Sequence, residues 1–292
     1  MKSWFTTPVL VGAALVVLQA ASVDSPYRAQ IEQYRAKPEA ALKADGGWLT
    51  VTGLFWLKEG ENTLGSDTAN DIVLPDTAPA RLGTVKLEHG VPVFTAATTE
   101  VALNGKPVSE ATLRTAGPPD VLSTGAVEFF LIKRGGDRYA VRLKDKNSAL
   151  RKNFTHIGFY PVQEDWKLTA KYVSYPSPAK LIFESVIGEQ ETMSSPGYVE
   201  FERGGQTYKL LAAAKGSSLF FVIRDRTSGK TTYAASRFLH TEAPKNGLVV
   251  LDFNKLENPP CAFTPYATCP LPPPENRLPL AIEAGELKYG DH

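Results

Sequence analysis

Four histidines and two cysteines are all that this 292-residue chain offers to metal and thiol chemistry. His89, His156, His240 and His292 are scattered with no zinc-binding spacing, so no metal centre is expected. No Gly-x-Ser-x-Gly elbow occurs. The runs Gly135-Gly136 and Gly204-Gly205 lack the spacing of a nucleotide-binding loop and read as hairpin turns between strands. No cofactor is expected. Net charge is scarce as well: the formal value is +1, falling to about zero without Lys2, which leaves no electrostatic attraction to nucleic acid or anionic lipid.

Long apolar runs are equally few. Trp4 to Leu18 is uncharged and apolar, follows the short basic start Met1-Lys2-Ser3, and precedes the small residues Ala20-Ala21-Ser22. This is the pattern of a secretory leader, too short for a bilayer span of roughly 20 residues, so an exported protein without a stable membrane span after leader removal is expected. No cysteine near the leader provides a lipid-attachment site. In an oxidising compartment Cys261 and Cys269 are expected to pair as a disulfide, a closure contributing roughly 2 to 3 kcal/mol. The alternatives are reduced structural thiols, thiolate ligands to a metal with Asp252 or a histidine, and a nucleophilic cysteine.

What is present is an ordinary globular balance, 43% hydrophobic and 22% charged, enough for one large or two ordinary domains. Tyr27 to Leu42 has helical periodicity, with a break or a fresh first turn expected at Pro38. Beyond it come strands: Trp48 to Leu57, Tyr139 to Leu143, Leu181 to Val186, Tyr198 to Glu202, Tyr208 to Leu211 and Leu219 to Ile223, separated by glycine turns. Strands without intervening helical patterns indicate an antiparallel sandwich or barrel. A boundary is expected near Leu150 to Pro161, and Trp48, Trp56 and Trp166 read as core aromatics rather than a stacking platform.

The last forty residues are the richest. Asn258-Pro259-Pro260-Cys261 and Cys269-Pro270-Leu271-Pro272-Pro273-Pro274-Glu275-Asn276-Arg277 cannot be helix or central strand, because each proline removes a backbone donor. The segment is therefore a built loop, either a binding feature or a clamp. Asp225 and Asp252 end strands, while Thr231, Thr232 and Tyr233 are read as starting the strand across the Thr227 to Lys230 turn. Arg237 is read as sharing a sheet face with Tyr233. In the functional reading, Arg237 meets an anion while Asn254, Asn258 and Asn276 orient a polar ligand, with Asp225, Thr231, Tyr233, Asp252, Arg277 and Glu286 completing the candidate set. In the structural reading, Arg237 pairs with Asp252 or Glu286 to tie the loop down.

Several of these pieces together resemble the family of uncharacterised bacterial and archaeal proteins known as DUF1684. They are Gly46-Gly47-Trp48-Leu49-Thr50, Gly53 to Leu57, Asn62 to Ser66, Asp225 to Tyr233, Arg237-Phe238-Leu239 and the stretch from Asp252 to Glu286. The resemblance spans roughly residues 27–290 and implies no activity. A second likeness, over 58–145, is to forkhead-associated (FHA) domains: Asn62 to Ser66 and Asn70 to Pro75 look like the first two strands, and Leu103 to Val108 like a later Asn-Gly turn. Ser66 stands where phosphothreonine readers of that fold place arginine, and Ala78-Pro79-Ala80 supplies neither their serine nor their histidine. Phosphopeptide reading is therefore not expected.

The expectation is a mainly β protein: a leader (1–22), an N-terminal helix and first strands (23–57), an FHA-like β-sandwich (58–150), and a larger antiparallel β-barrel or sandwich (151–292) closed by the Pro-rich loop. Its expected role is to bind a small polar or anionic ligand or to act as a scaffold. The alternatives are a hydrolase of envelope or extracellular material using an aspartate pair, and a purely structural envelope protein. The sequence identifies no reaction and no oligomeric state.

Overall fold

Helix α1 (Pro26–Lys43) opens the described chain. The structure, a computed structural model, describes residues 25–136 and 138–290, and the expected leader lies outside them. Ser25 caps α1 by accepting from the Arg28 N–H, and Pro26 occupies a first-turn position where its missing donor costs nothing. The break expected at Pro38 does not occur. The helix is buried on both sides of it, through Ile31 and Arg35 before and Leu42 after, and this packing outweighs one lost backbone bond. Directly after α1, a Cβ on Gly47 would lie 2.2 Å from the Leu42 carbonyl oxygen, so only glycine lets the chain turn back against the helix end.

Trp48–Thr50 forms a 3₁₀ turn rather than the start of a strand. Eleven strands follow: β1 (Val51–Trp56), β2 (Gly60–Gly65), β3 (Ile72–Val73), β4 (Gly83–Glu88), β5 (Val91–Ala96), β6 (Ala102–Leu103), β7 (Lys106–Pro107), β8 (Glu110–Thr112), β9 (Leu122–Thr124), β10 (Val127–Arg134) and β11 (Arg138–Asp145). They make two sheets, ordered β1-β11-β10-β9-β6-β7 and β3-β2-β4-β5-β8. Alternate residues of each, among them Leu64, Val85 and Phe94 of one and Leu122, Phe129 and Val141 of the other, enclose one apolar core between them. The Asn104-Gly105 turn has positive φ at both residues, as a tight hairpin requires.

After the short helix α2 (Ala149–Lys152), six strands form a curled half-barrel: β12 (Lys167–Glu184), β13 (Gln190–Arg203), β14 (Gln206–Lys215), β15 (Ser218–Ile223), β16 (Arg237–Thr241) and β17 (Leu248–Asp252). Their order is β16-β15-β14-β13-β12-β17, antiparallel throughout. Pairing of β12 with β13 lapses between Ser174 and Ala179, where Pro176 and Pro178 have no N–H to donate. Leu278, Ile282 and Ala284 of the C-terminal segment join Val199, Leu210, Phe221 and Leu251 in the half-barrel core, so the Pro-rich loop is an integral part of it. The fold is mainly β with an N-terminal helix, as expected. Among the described residues, no helix is long and apolar enough to cross a membrane.

Candidate functional site

The 225–237 region departs from the expected strand. Thr231 to Ser236 run as turns and a single bridge between Ser228 and Thr232, and the next strand begins only at Arg237. Tyr233 and Arg237 therefore do not share a sheet face by strand periodicity. Arg237 is 1% exposed and faces inward. Its Nη2 donates to Asp225 Oδ2 (2.7 Å) and to the Ile282 carbonyl (2.9 Å), and its Nη1 donates to the carbonyls of Ala284 and Glu286. The partner of Arg237 is thus Asp225, not Asp252 or Glu286. Asp225 Oδ1 also accepts from the Thr227 N–H (2.8 Å) and hydroxyl (2.6 Å).

The other candidate residues are distributed as follows. Asp252 accepts from the Tyr27 hydroxyl at 2.6 Å and lies near Lys255. Asn254 exchanges two bonds with the backbone of Gln163, and Asn276 does the same with Leu211 of β14, where it acts as an extra rung of sheet. Thr231 is exposed and bonded to Tyr160, Tyr233 donates to the Cys261 carbonyl, and Arg277 is exposed with its Nε on the Pro272 carbonyl. In place of the expected disulfide, Cys261 and Cys269 are free thiols.

Two candidates remain together at a cavity. Asn258 and Glu286 line a space of about 210 Å³ between α1 and the C-terminal loop, together with Pro38, Ala41, Leu42, Trp48, Phe238, Glu257, Pro260 and Phe263. Glu286 is 2% exposed, and one carboxylate oxygen accepts from the Asn258 N–H at 2.7 Å. Burial, reinforced by the nearby Glu257 charge, pushes the Glu286 carboxyl up to about 8, against the opposing pull of Asn258, Arg237 and Arg35. At neutral pH it is therefore mostly a protonated donor. Asn258 Nδ2 donates to the Leu287 carbonyl, while its buried Oδ1 has no partner. Glu257 faces His240 at 3.4 Å, and among the described residues the cavity wall carries no lysine or arginine.

The terminal segment is shaped to present Glu286. Gly285 has φ of +78°, and a Cβ there would lie 2.6 Å from Leu256, so Ala284-Gly285-Glu286 turns Glu286 inward only with glycine at its centre. Residues 152–287 match the family described as "Protein of unknown function (DUF1684)". The matched segment includes β12 to β17, Asn258 and Glu286, but not α1 or Trp48, which close the cavity from the other side. No curated protein matches the chain. Among solved structures, the chain is similar to an uncharacterized protein from Haloarcula marismortui at 25% identity, covering 47% of this chain and 78% of that one, with a TM-score of 0.40. It is also similar to an FHA domain from a study of phosphothreonine-dependent interactions (19% identity, 31% and 92% coverage, TM-score 0.23). The FhaA FHA domain complexed with the intracellular domain of Rv3910 matches at 19% identity, with 31% and 97% coverage and a TM-score of 0.23.

The sequence pointed to Asn258 and Glu286 but not to Glu257 or to the wall. Glu257 stands directly before Asn258-Pro259-Pro260, and an acidic residue at the mouth of a proline-built loop was the available signal. Trp48, read as core, is part of the wall. Among the described residues, no group of three or more His, Cys, Asp or Glu side chains is arranged to hold a metal ion.

Proposed function

We propose that this chain is an exported binding module for a small amphipathic molecule held in the cavity between α1 and the C-terminal loop. The observation that carries the reading is that a neutral, buried Glu286 carboxyl and Asn258, whose buried Oδ1 has no partner among the described residues, line one cavity with mostly apolar residues. Together they offer one donor and one acceptor, which suits an amide, an alcohol or an amine with an apolar body. The two carboxyls at the wall and the lack of a cation disfavour an anion there. Export rests on the leader pattern of residues 1–22, and the division into a sandwich over 58–150 and a C-terminal β unit over 151–292 belongs to the same reading. FHA-type phosphopeptide binding is not part of it, because Ser66 supplies no guanidinium and donates to the Ala78 carbonyl.

A carboxyl held near neutral pH also suits a general acid, and Glu286 beside Glu257 is a better-placed pair for hydrolysis than Asp225 and Asp252. Those aspartates are committed to Arg237 and to Tyr27. A thermal-shift screen of the leaderless chain against small amides, alcohols, amines and carboxylates tests the binding reading. The expected result is stabilisation by amides, alcohols or amines and none by carboxylates of matched size. Stabilisation confined to carboxylates would overturn it.

A further inference from the structure

Arg142 is 6% exposed, yet its Nε and Nη2 have no hydrogen-bond partner among the described residues; its guanidinium lies 5.1 Å from the Trp48 ring centre. An arginine so deeply buried ordinarily has a carboxylate beside it. Burial works against its charge, as does Arg134 of β10, while Cys269 favours it; Arg134 is itself held by Thr268, the residue before Cys269. Cys269 is buried and its sulfur accepts the Cys261 backbone N–H at 3.3 Å, which places the two cysteines side by side. Cys261 is the more accessible of the two, with Tyr233 beside it. A buried cation without a carboxylate, in the neighbourhood of two adjacent thiols, favours a thiolate.

We propose that Cys261 and Cys269, with Arg142, form a dithiol site that exchanges with low-molecular-weight disulfides. The Cys261 thiolate attacks one sulfur of the small disulfide; a protein–small-molecule S–S bond forms, the original S–S bond breaks, and the departing thiolate takes a proton from water. Cys269 then loses its proton to solvent, with Arg142 stabilising the anion. It attacks the Cys261 sulfur, closing the protein disulfide and expelling the second small thiolate. Two electrons pass from the protein pair to the small disulfide.

The division of labour follows from the surroundings. Interaction with Cys269, and to a lesser degree with Tyr233, draws the Cys261 thiol below its ordinary range against its own burial, whereas interaction with Cys261 and burial push Cys269 up. Once Cys261 is capped it can no longer hold the Cys269 proton, and Arg142 remains as the favourable charge. Arg142 is therefore a positioning residue for the second step rather than the first. The site is independent of the cavity reading.

The test uses the reduced, leaderless chain with oxidised glutathione, followed by acid quenching and intact mass. The account expects two equivalents of glutathione released per chain and loss of two hydrogens from the protein. Cys269→Ser should stop as a mixed disulfide at Cys261, and Arg142→Met should form that species normally but resolve it at least about tenfold more slowly. On the unmodified chain, iodoacetamide should label Cys261 first, with a midpoint below the ordinary thiol value of about 8.5. Both thiols titrating together at the ordinary value, or resolution in Arg142→Met at the wild-type rate, would overturn the proposal.

Discussion

Glu286 is the residue at which burial and chemistry meet. In the unfolded chain its carboxyl titrates at the ordinary value near 4.3, whereas in the folded protein it titrates at about 8. Between those values the native state binds more protons than the unfolded one, so this group's contribution to stability is full in acid and is lost as pH rises from about 4.5 to about 8. Glu286→Gln retains an oxygen to accept the Asn258 N–H and removes the ionisation. The variant should therefore show a flatter dependence of unfolding free energy between pH 5 and pH 8 than the wild type, measured by urea titration at each end. Equal slopes in the two proteins would show that the carboxyl is solvated and the site open to water.

At the scale of elements, the start of β16 and the segment 282–286 are joined by one guanidinium. Arg237→Met removes the bonds to three carbonyls and leaves Asp225 buried without its countercharge, and should cost about 3 to 5 kcal/mol in urea unfolding. A loss below about 1 kcal/mol, the scale of an exposed pair, would mean that the segment is held by its apolar contacts instead. This clamp was half legible in the sequence. The terminal loop had to be pinned by side chains because its prolines cannot build a ladder, and the Arg, Asp and Asn residues available were the right kinds. Which acid met Arg237 was not legible, because the stretch from Thr231, read as the start of a strand, instead forms turns around Thr227 and Thr232. Local pattern could not reveal that tertiary pairing. The helix passing through Pro38 was missed for a similar reason: propensity sees the proline, whereas the packing of Ile31, Arg35 and Leu42 decides the outcome.

Across the whole molecule, the C-terminal loop is sewn to the first sheets as well as to the half-barrel. The Thr264 hydroxyl donates to the Val51 carbonyl (2.9 Å), Arg134 reaches Thr268 (3.1 Å), and Phe263 shares an apolar cluster with Leu42, Leu49 and Ile157. The cavity exists because α1 with the adjoining Trp48 turn, Phe238 of β16, and the C-terminal Asn258 to Phe263 loop with Glu286 are brought together from distant parts of the chain. The mainly β class was readable from alternation and turns, which are local. The cavity was not, since its wall residues are ordinary apolar positions until the fold brings them together. Ala41 is the wall residue on the exposed side of α1, where a larger side chain can enter the space without disturbing the helix. Calorimetric titration of the strongest screened ligand into Ala41→Trp tests the central claim most directly. The account predicts loss of binding by at least about a hundredfold, with the melting temperature of the free protein nearly unchanged. Wild-type affinity in that variant would contradict it.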